Sequence, residues 1–209
     1  ADVGQGQREE VNKVPSTTSG RNFGWRCMEG LRCTGLSTPA TCVCNNPSLT
    51  MPMYEYDHSG GRCSITGGHI YRGSAIPGLS GTYFFADYCT GEIWSFKTNA
   101  SNAILNFTDR TVEIQPPSPT IIANPVSFGE DNAGEIYIVD ATGGKILKIV
   151  GVPCFADFDQ NGGIDGADVE AFFIAFEQGV PDADVNSDGG VDGTDVEAFF
   201  IAWEAGGCF

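Results

Sequence analysis

The chain has 209 residues, with 27 acidic against 11 basic side chains and a formal net charge of −16. That balance argues against nucleic acid as a partner, and no stretch of the sequence is long and apolar enough to cross a membrane. The length allows one large or two small domains, and eight cysteines among 28 glycines point to an oxidising, extracellular compartment.

Structural zinc is a weak rival for the cysteines, because no Cys-x-x-Cys pair exists and only His58 and His69 could assist. The sequence opens Ala1-Asp-Val-Gly-Gln without a signal peptide, so a trimmed, mature secreted chain is expected. Residues 1–24 read as polar turns leading into Asn22-Phe-Gly-Trp-Arg-Cys-Met-Glu-Gly30. Residues 27–63, rich in Cys, Pro, Thr and Asn, read as a long loop pinned by disulfides. Cys42 and Cys44 are one residue apart, so they are expected to pair outward, with Cys27 and Cys33, rather than with each other.

From Cys63 the texture changes to short β segments divided by glycine: Ser64–Arg72, Gly81–Ala86, Glu92–Lys97, Ala103–Phe107, then Pro125–Gly129, Gly134–Val139 and Lys145–Ile149. The phrases Asp87-x-x-x-Gly-Glu-Ile-Trp94 and Asp131-x-x-Gly-Glu-Ile-Tyr137 repeat each other, with Glu92 and Glu135 spaced by 43 residues. A β repeat of about 40 to 50 residues is what a propeller blade looks like in sequence. A sandwich with two coincidentally similar hairpins is the alternative.

Several separated phrases occur together: Asp2-Val-Gly-Gln, Gly24-Trp-Arg-Cys-Met-Glu-Gly, Cys63-Ser-Ile-Thr-Gly-Gly-His-Ile-Tyr-Arg-Gly, Gly81-Thr-Tyr-Phe-Phe-Ala-Asp-Tyr-Cys and Ser127-Phe-Gly-Glu-Asp. In that order they resemble the C-terminal half of glucose/sorbosone dehydrogenase-like β-propellers, over residues 1–150. The resemblance implies a pairing of Cys63 with Cys89. Active members of that family oxidise sugars with pyrroloquinoline quinone (PQQ) and calcium. That chemistry needs a histidine base to take the hydroxyl proton while hydride passes to the quinone. In those relatives the base lies upstream of anything matching residue 1. Basic side chains are also expected near the last blades to hold the cofactor, yet Ala123-Asn-Pro-Val-Ser-Phe128 contains none. Of the remaining candidates, His58 and His69 read as hydrogen-bonded structural residues and Arg72 and Lys97 as solvent-facing bases. No catalytic or cofactor-binding residue is therefore assigned. Asn99-Ala-Ser and Asn106-Phe-Thr fit the glycosylation sequon.

The last quarter is written twice. Asp157–Asp168 returns 27 positions on as Asp184–Asp195. Each copy places oxygen side chains at loop positions 1, 3, 5, 9 and 12, with glycine at position 6 for a sharp turn and a backbone carbonyl at position 7, as a calcium loop requires. The first set is Asp157, Asp159, Asn161, Gly163 (through its carbonyl), Asp165 and Asp168. The second is Asp184, Asn186, Asp188, Gly190 (through its carbonyl), Asp192 and Asp195. Ile164 and Val191 at position 8 are apolar, as expected if the loops pair side by side over one core. Val169, Phe172, Phe173 and Phe176, and likewise Val196, Phe199, Phe200 and Trp203, mark an amphipathic helix after each loop. From Pro153 onward there are 13 acidic residues and no Lys or Arg, so the net acidity belongs to these loops. Cys154 and Cys208 bracket the segment, and a bridge between them would be worth roughly 4 kcal/mol on the chain-entropy estimate.

Two loop–helix units without a helix before each loop resemble a type I dockerin, a calcium-binding module that docks to cohesin. Its usual hydroxyl pair at loop positions 10 and 11 is replaced here by Gly166-Ala167 and Gly193-Thr194, which removes the usual cohesin contacts. The expected architecture is mainly β: a partial propeller of about three blades at residues 1–150, then a small α-helical, EF-hand/dockerin-like module at 151–209. The expected function is that of a secreted, non-catalytic assembly or structural protein holding two calcium ions. Homo-oligomerisation or filament growth through open propeller edges is expected, as is a protein or cell-surface partner for the module. The alternative is the C-terminal portion of a PQQ-dependent aldose or sorbosone dehydrogenase.

Overall fold

The structure is a computed structural model, and it describes residues 1–36, 43–151, 155–161 and 163–205. Within these the chain is mainly β, with two α-helices. Two compact units form: the first comprises Ala1–Gly73 and Gly81–Ile149, the second Ser74–Ser80 and the chain from Val150.

In the first unit β1 (Arg8–Val11) pairs antiparallel with β4 (Tyr54–Asp57). Between them β2 (Met28–Glu29) and β3 (Arg32–Cys33) make a short hairpin. β5 (Ile65–Thr66), β6 (Tyr83–Asp87), β7 (Ile93–Thr98) and β8 (Ile104–Asp109) form a four-stranded antiparallel sheet in that order. β9 (Pro125–Glu130), β10 (Ile136–Asp140) and β11 (Lys145–Lys148) form a three-stranded sheet with β10 in the centre. Among the described residues all pairings are antiparallel and no sheet closes into a ring.

Alternation decides which face is buried. Phe85, Trp94 and Phe96 meet Tyr56 and Val11 in one cluster, so the β1–β4 ribbon packs on the four-stranded sheet. Rings lie at centroid separations such as 5.3 Å for Tyr56–Trp94 and 5.7 Å for Tyr54–Phe85, within the range where aromatic pairs add to burial. The β5 strand is tied to β9 by the Thr66 hydroxyl, which donates to the Pro125 carbonyl at 2.6 Å.

Six of the predicted β segments appear within a residue or two of their expected bounds. Ser64–Arg72 does not: only Ile65–Thr66 is a strand, followed by a lone bridge between Ile70 and Tyr83. A side chain at Gly68 would place its Cβ 1.5 Å from the Phe84 carbonyl oxygen, so the chain passes too close to β6 for a regular ladder. The polar turns expected at residues 1–24 contain β1, and the loop at 27–63 contains β2, β3 and β4.

The 43-residue repeat is visible as two aspartate-capped hairpin turns. Asp87 Oδ1 accepts from the Cys89 and Thr90 amides, and Asp131 Oδ1 from the Ala133 and Glu135 amides. A fuller match joins Asp87 to Asp140, 53 positions on. Both end the strand before a hairpin, and both also reach back to an amide pair ahead of the preceding strand: Cys63 and Ser64 for Asp87, Ala123 and Asn124 for Asp140. A disulfide joins Cys63 to Cys89, as the resemblance implied; another joins Cys33 to Cys44, so Cys44 pairs outward rather than with Cys42, and Cys27 is also disulfide-bonded. Cys42 and the Cys154–Cys208 bridge lie outside the described residues.

In the second unit α1 (Gly166–Glu177) and α2 (Gly193–Ala205) each follow one copy of the repeated loop. Phe172 and Phe199, equivalent positions of the repeat, are both fully buried and stack face to face, centroids 4.3 Å apart and 5° from parallel. Phe173 and Phe200, the next equivalent pair, lie 6.3 Å apart. Phe158 closes the cluster over both stacked rings, beside Ala183 and Val185. The duplicated sequence therefore packs against itself through equivalent residues. Among the described residues no β-bridge joins Ile164 to Val191; Val191 packs on the core, and the rings make the joint.

Candidate metal centre

In each loop the carboxylate at position 12 is the fixed point. Asp168 and Asp195 are completely buried. Asp168 accepts from the Asp159 amide at 3.1 Å and the Asp165 amide at 2.8 Å; Asp195 accepts from the Asn186 amide at 3.2 Å and the Asp192 amide at 2.8 Å. The same loop positions, 3 and 9, supply the donors in both copies. Asp165 caps α1 by accepting from Ala167, which with Asp168 completes a reciprocal cap.

The turn geometry also repeats. Gln160 and Ser187, both at position 4, have φ of 58°, and Gly189 at position 6 has φ of 96°. Only glycine takes the last conformation freely. The Asp184 oxygens accept from the Asp188 and Gly189 amides, which curls the second loop inward. Thr194 donates to Asp192 Oδ1 at 2.7 Å, and its backbone amide bonds the same oxygen. The amide and the hydroxyl together hold the Asp192 carboxyl below the usual carboxylate range.

The donor set is all oxygen, mostly from aspartate side chains. Asp157, Asp159 and Asp168 each offer a carboxylate oxygen, and these atoms all lie within 4.8 Å of one another. Three converging carboxylates are hard oxygen donors, of the kind a hard divalent cation takes in preference to a soft one. Asn161 and Asn186 sit at the rim and bond Asp159 and Asp188 through their side-chain nitrogens. Cys63, Asp87 and Cys89 also converge. Their sulfurs are consumed by the disulfide and the Asp87 oxygens by Tyr56 and backbone amides, so that cluster is structural.

The histidines of the first unit do not form a site together. His58 Nε2 lies 2.7 Å from Oε1 of the buried Glu9, whose other oxygen accepts from Ile65 at 2.8 Å. Burial pushes the Glu9 carboxyl up, against the pull of the Ile65 amide and His58. His69 Nδ1 stands 3.4 Å from Glu130, which also pairs with Arg72 at 3.1 Å. Asn99 caps its own turn by accepting from Ser101 and Ala103, and Asn106 lies exposed on β8. Three buried acids, Glu9, Glu10 and Glu29, were not legible as such: their partners are amides at residues 65, 30 and 6, and only the folded chain brings these close.

No family model matches the chain. Two proteins of Arabidopsis thaliana are similar to it. HIPL2 protein is 30% identical over 171 residues, covering 72% of this chain and 24% of that one; HIPL1 protein is 31% identical over 165 residues, covering 68% and 23%. The chain thus spans about a quarter of the length of these relatives. Among solved structures, a glucose dehydrogenase superposes with a TM-score of 0.47 at 17% identity, over 68% of this chain and 38% of that one.

Proposed function

We propose that the chain is a secreted, calcium-binding assembly or structural protein without catalytic activity. In this reading a portion of a sugar-dehydrogenase-like propeller is followed by a dockerin-like module that holds two calcium ions. The observation that carries it is the duplicated loop. Two copies with the same ligand spacing hold a buried position-12 carboxylate by the same two amides, and in the first copy three carboxylates converge. Calcium, when bound, would offset part of the charge of the four aspartates that each loop supplies. Asp157, Asp159, Asn161, Asp165 and Asp168, with the Gly163 carbonyl, would hold the first ion. Asp184, Asn186, Asp188, Asp192 and Asp195, with the Gly190 carbonyl, would hold the second. The secreted location is supported by the disulfides, and the non-catalytic role by the lack of a basic side chain in Ala123-Asn-Pro-Val-Ser-Phe128.

Calorimetric titration of a chelator-treated sample tests the reading. Two calcium ions should bind per chain with a gain of helical signal, and Asp157→Ala and Asp184→Ala should each remove one. Unchanged binding in both variants would refute the assignment.

A further inference from the structure

The two loops share their spacing but differ at a linked pair of positions. At position 3 the first carries Asp159 and the second Asn186; at position 11 the first carries Ala167 and the second Thr194. A carboxylate and a carboxamide differ in symmetry. Either oxygen of Asp159 can serve as a ligand, so turning that group by half a rotation changes nothing. Asn186 has one oxygen to offer, and its other end is a pair of N–H donors that no cation accepts. The second loop therefore has to hold its position-3 side chain in one orientation, and the first does not.

The hydrogen bonds around Thr194 do this. Asn186 Nδ2 donates to Thr194 Oγ1 at 2.7 Å, and Asn186 Oδ1 accepts from the Asp188 amide at 2.8 Å. The Thr194 hydroxyl has one proton, which goes to Asp192 Oδ1 at 2.7 Å; Asp188 Oδ2 lies further off, at 3.4 Å. Both of these are carboxylates, which as anions only accept, so the hydroxyl meets Asn186 with a lone pair and can take only its N–H. The bonds thus run one way, from Asn186 through Thr194 to Asp192. A second bond from Asn186 Nδ2, to Asp188 Oδ2 at 3.1 Å, runs in the same sense. The carboxamide is pinned at both ends, and its oxygen keeps a second lone pair. In the first loop the Asn161 amide makes the equivalent bond to Asp159 Oδ1 at 3.0 Å, and Ala167 brings no hydroxyl to position 11.

We propose that Thr194 is a positioning residue of the second calcium loop: its hydroxyl, accepting from Asn186 and donating to Asp192, presents the Asn186 oxygen as the position-3 ligand. The proposal rests on the calcium reading above and deepens it. Asp159 with Ala167, and Asn186 with Thr194, are two solutions to one task. The first uses a symmetric ligand that needs no holding; the second uses an asymmetric ligand and a hydroxyl that holds it. Thr194 touches no cation itself, and its contribution is to fix the ligand before the ion arrives, which lowers the ordering cost of binding.

Calorimetric calcium titration of the full chain tests the proposal, in an Asp157→Ala background so that the second loop is read alone. Thr194→Ala and the near-isosteric Thr194→Val should each weaken calcium binding about fivefold, the worth of one hydrogen bond. Thr194→Ser keeps the hydroxyl and should restore the affinity. The deciding measurement is a double-mutant cycle with Asn186→Asp. Once position 3 is a symmetric carboxylate, Thr194→Val should cost less than about twofold. A hydroxyl that served only to cap the following helix would cost the same in both backgrounds, and that result overturns the proposal. Serine behaving like alanine, or no change of affinity in either Thr194 variant, also overturns it. Two ions bound by the unaltered chain with no effect at Thr194 remove the proposal and leave the calcium reading intact. An unaltered chain that takes up no calcium removes both.

Discussion

The two units use one device, a buried carboxylate accepting backbone amides, for different ends. In the first unit Glu9, Asp87 and Asp140 are buried, and each draws donors from distant segments: Ile65 to Glu9, Cys63 and Ser64 to Asp87, Ala123 and Asn124 to Asp140. These carboxylates close the fold, and their bonding capacity is spent in doing so. In the second unit Asp168 and Asp195 draw donors only from their own loops, within nine residues. Around Asp168 the carboxyls of Asp157 and Asp159 converge to within 4.8 Å, while no such cluster forms around Asp195 among the described residues.

Chelation should therefore separate the units most sharply. Without a cation the second unit has four mutually repelling carboxylates per loop, and its helices are expected to melt. The first unit, stapled by disulfides and aromatic packing, should keep its β signal and its near-ultraviolet aromatic signal. Calorimetry with and without chelator would record this as the loss of one transition. Concerted loss of both would show that the comparison is wrongly drawn.

Next in size are core truncations. Phe172→Ala removes one ring of the central stack and should destabilise the second unit by about 3–5 kcal/mol, weakening metal uptake at both loops. Phe85→Ala should cost the first unit a similar amount and leave metal uptake unchanged. Urea titrations paired with metal titration would check both outcomes.

The contrast also explains what could be read in advance. In the second unit the two helices and their duplication were legible, because their determinants are local: loop spacing, glycine position and helix period all fall within one 27-residue repeat. What the pattern did not contain was the joint, since equivalent phenylalanines stacking on each other is a consequence of folding. In the first unit the hydrophobic, glycine-bounded strands were legible from Tyr83 to Lys148. The segment Arg8-Glu-Glu-Val11 was not, because three charged residues in four do not read as a strand. It is one only because Gly30, Ile65 and His58 arrive to satisfy Glu10 and Glu9. The 43-residue repeat showed a shared turn, while the closer equivalence of Asp87 and Asp140 depends on amides that sequence cannot place.

Smaller effects sharpen the account of the staples. Opening the Cys63–Cys89 bridge, which spans 26 positions, by Cys89→Ser with Cys63→Ser should cost the first unit about 3 kcal/mol. The Tyr56 hydroxyl donates to Asp87 at 2.9 Å, and Tyr56→Phe should cost about 1 kcal/mol. Thermal melts of the first unit would rank the two, and a larger loss for Tyr56→Phe would show that Asp87, rather than the disulfide beside it, closes the sheet.

The smallest expected effect concerns acid. Arg62 forms a forked pair with Glu92, at 2.6 and 2.7 Å, and lies 5.4 Å over the Trp94 ring. The Arg62 guanidinium holds the Glu92 carboxyl below its ordinary value of 4.5. A carboxyl depressed in the fold stabilises it above the unfolded value, and that stabilisation is lost as pH falls through the folded value. Glu9 works in the opposite sense: burial raises its carboxyl, so its contribution is present below the unfolded value and is lost as pH rises through the folded one. Glu92→Gln should therefore flatten the acid limb of the stability curve below the ordinary carboxylate range and cost about 1 kcal/mol near neutrality. Glu9→Gln should not flatten that limb, because the Glu92 pair remains to be titrated. Urea midpoints of the first unit, measured from neutrality into the acid range in both variants, would separate the two carboxyls. An acid limb unchanged by Glu92→Gln would mean that the Arg62 fork holds geometry without storing pH-dependent stability.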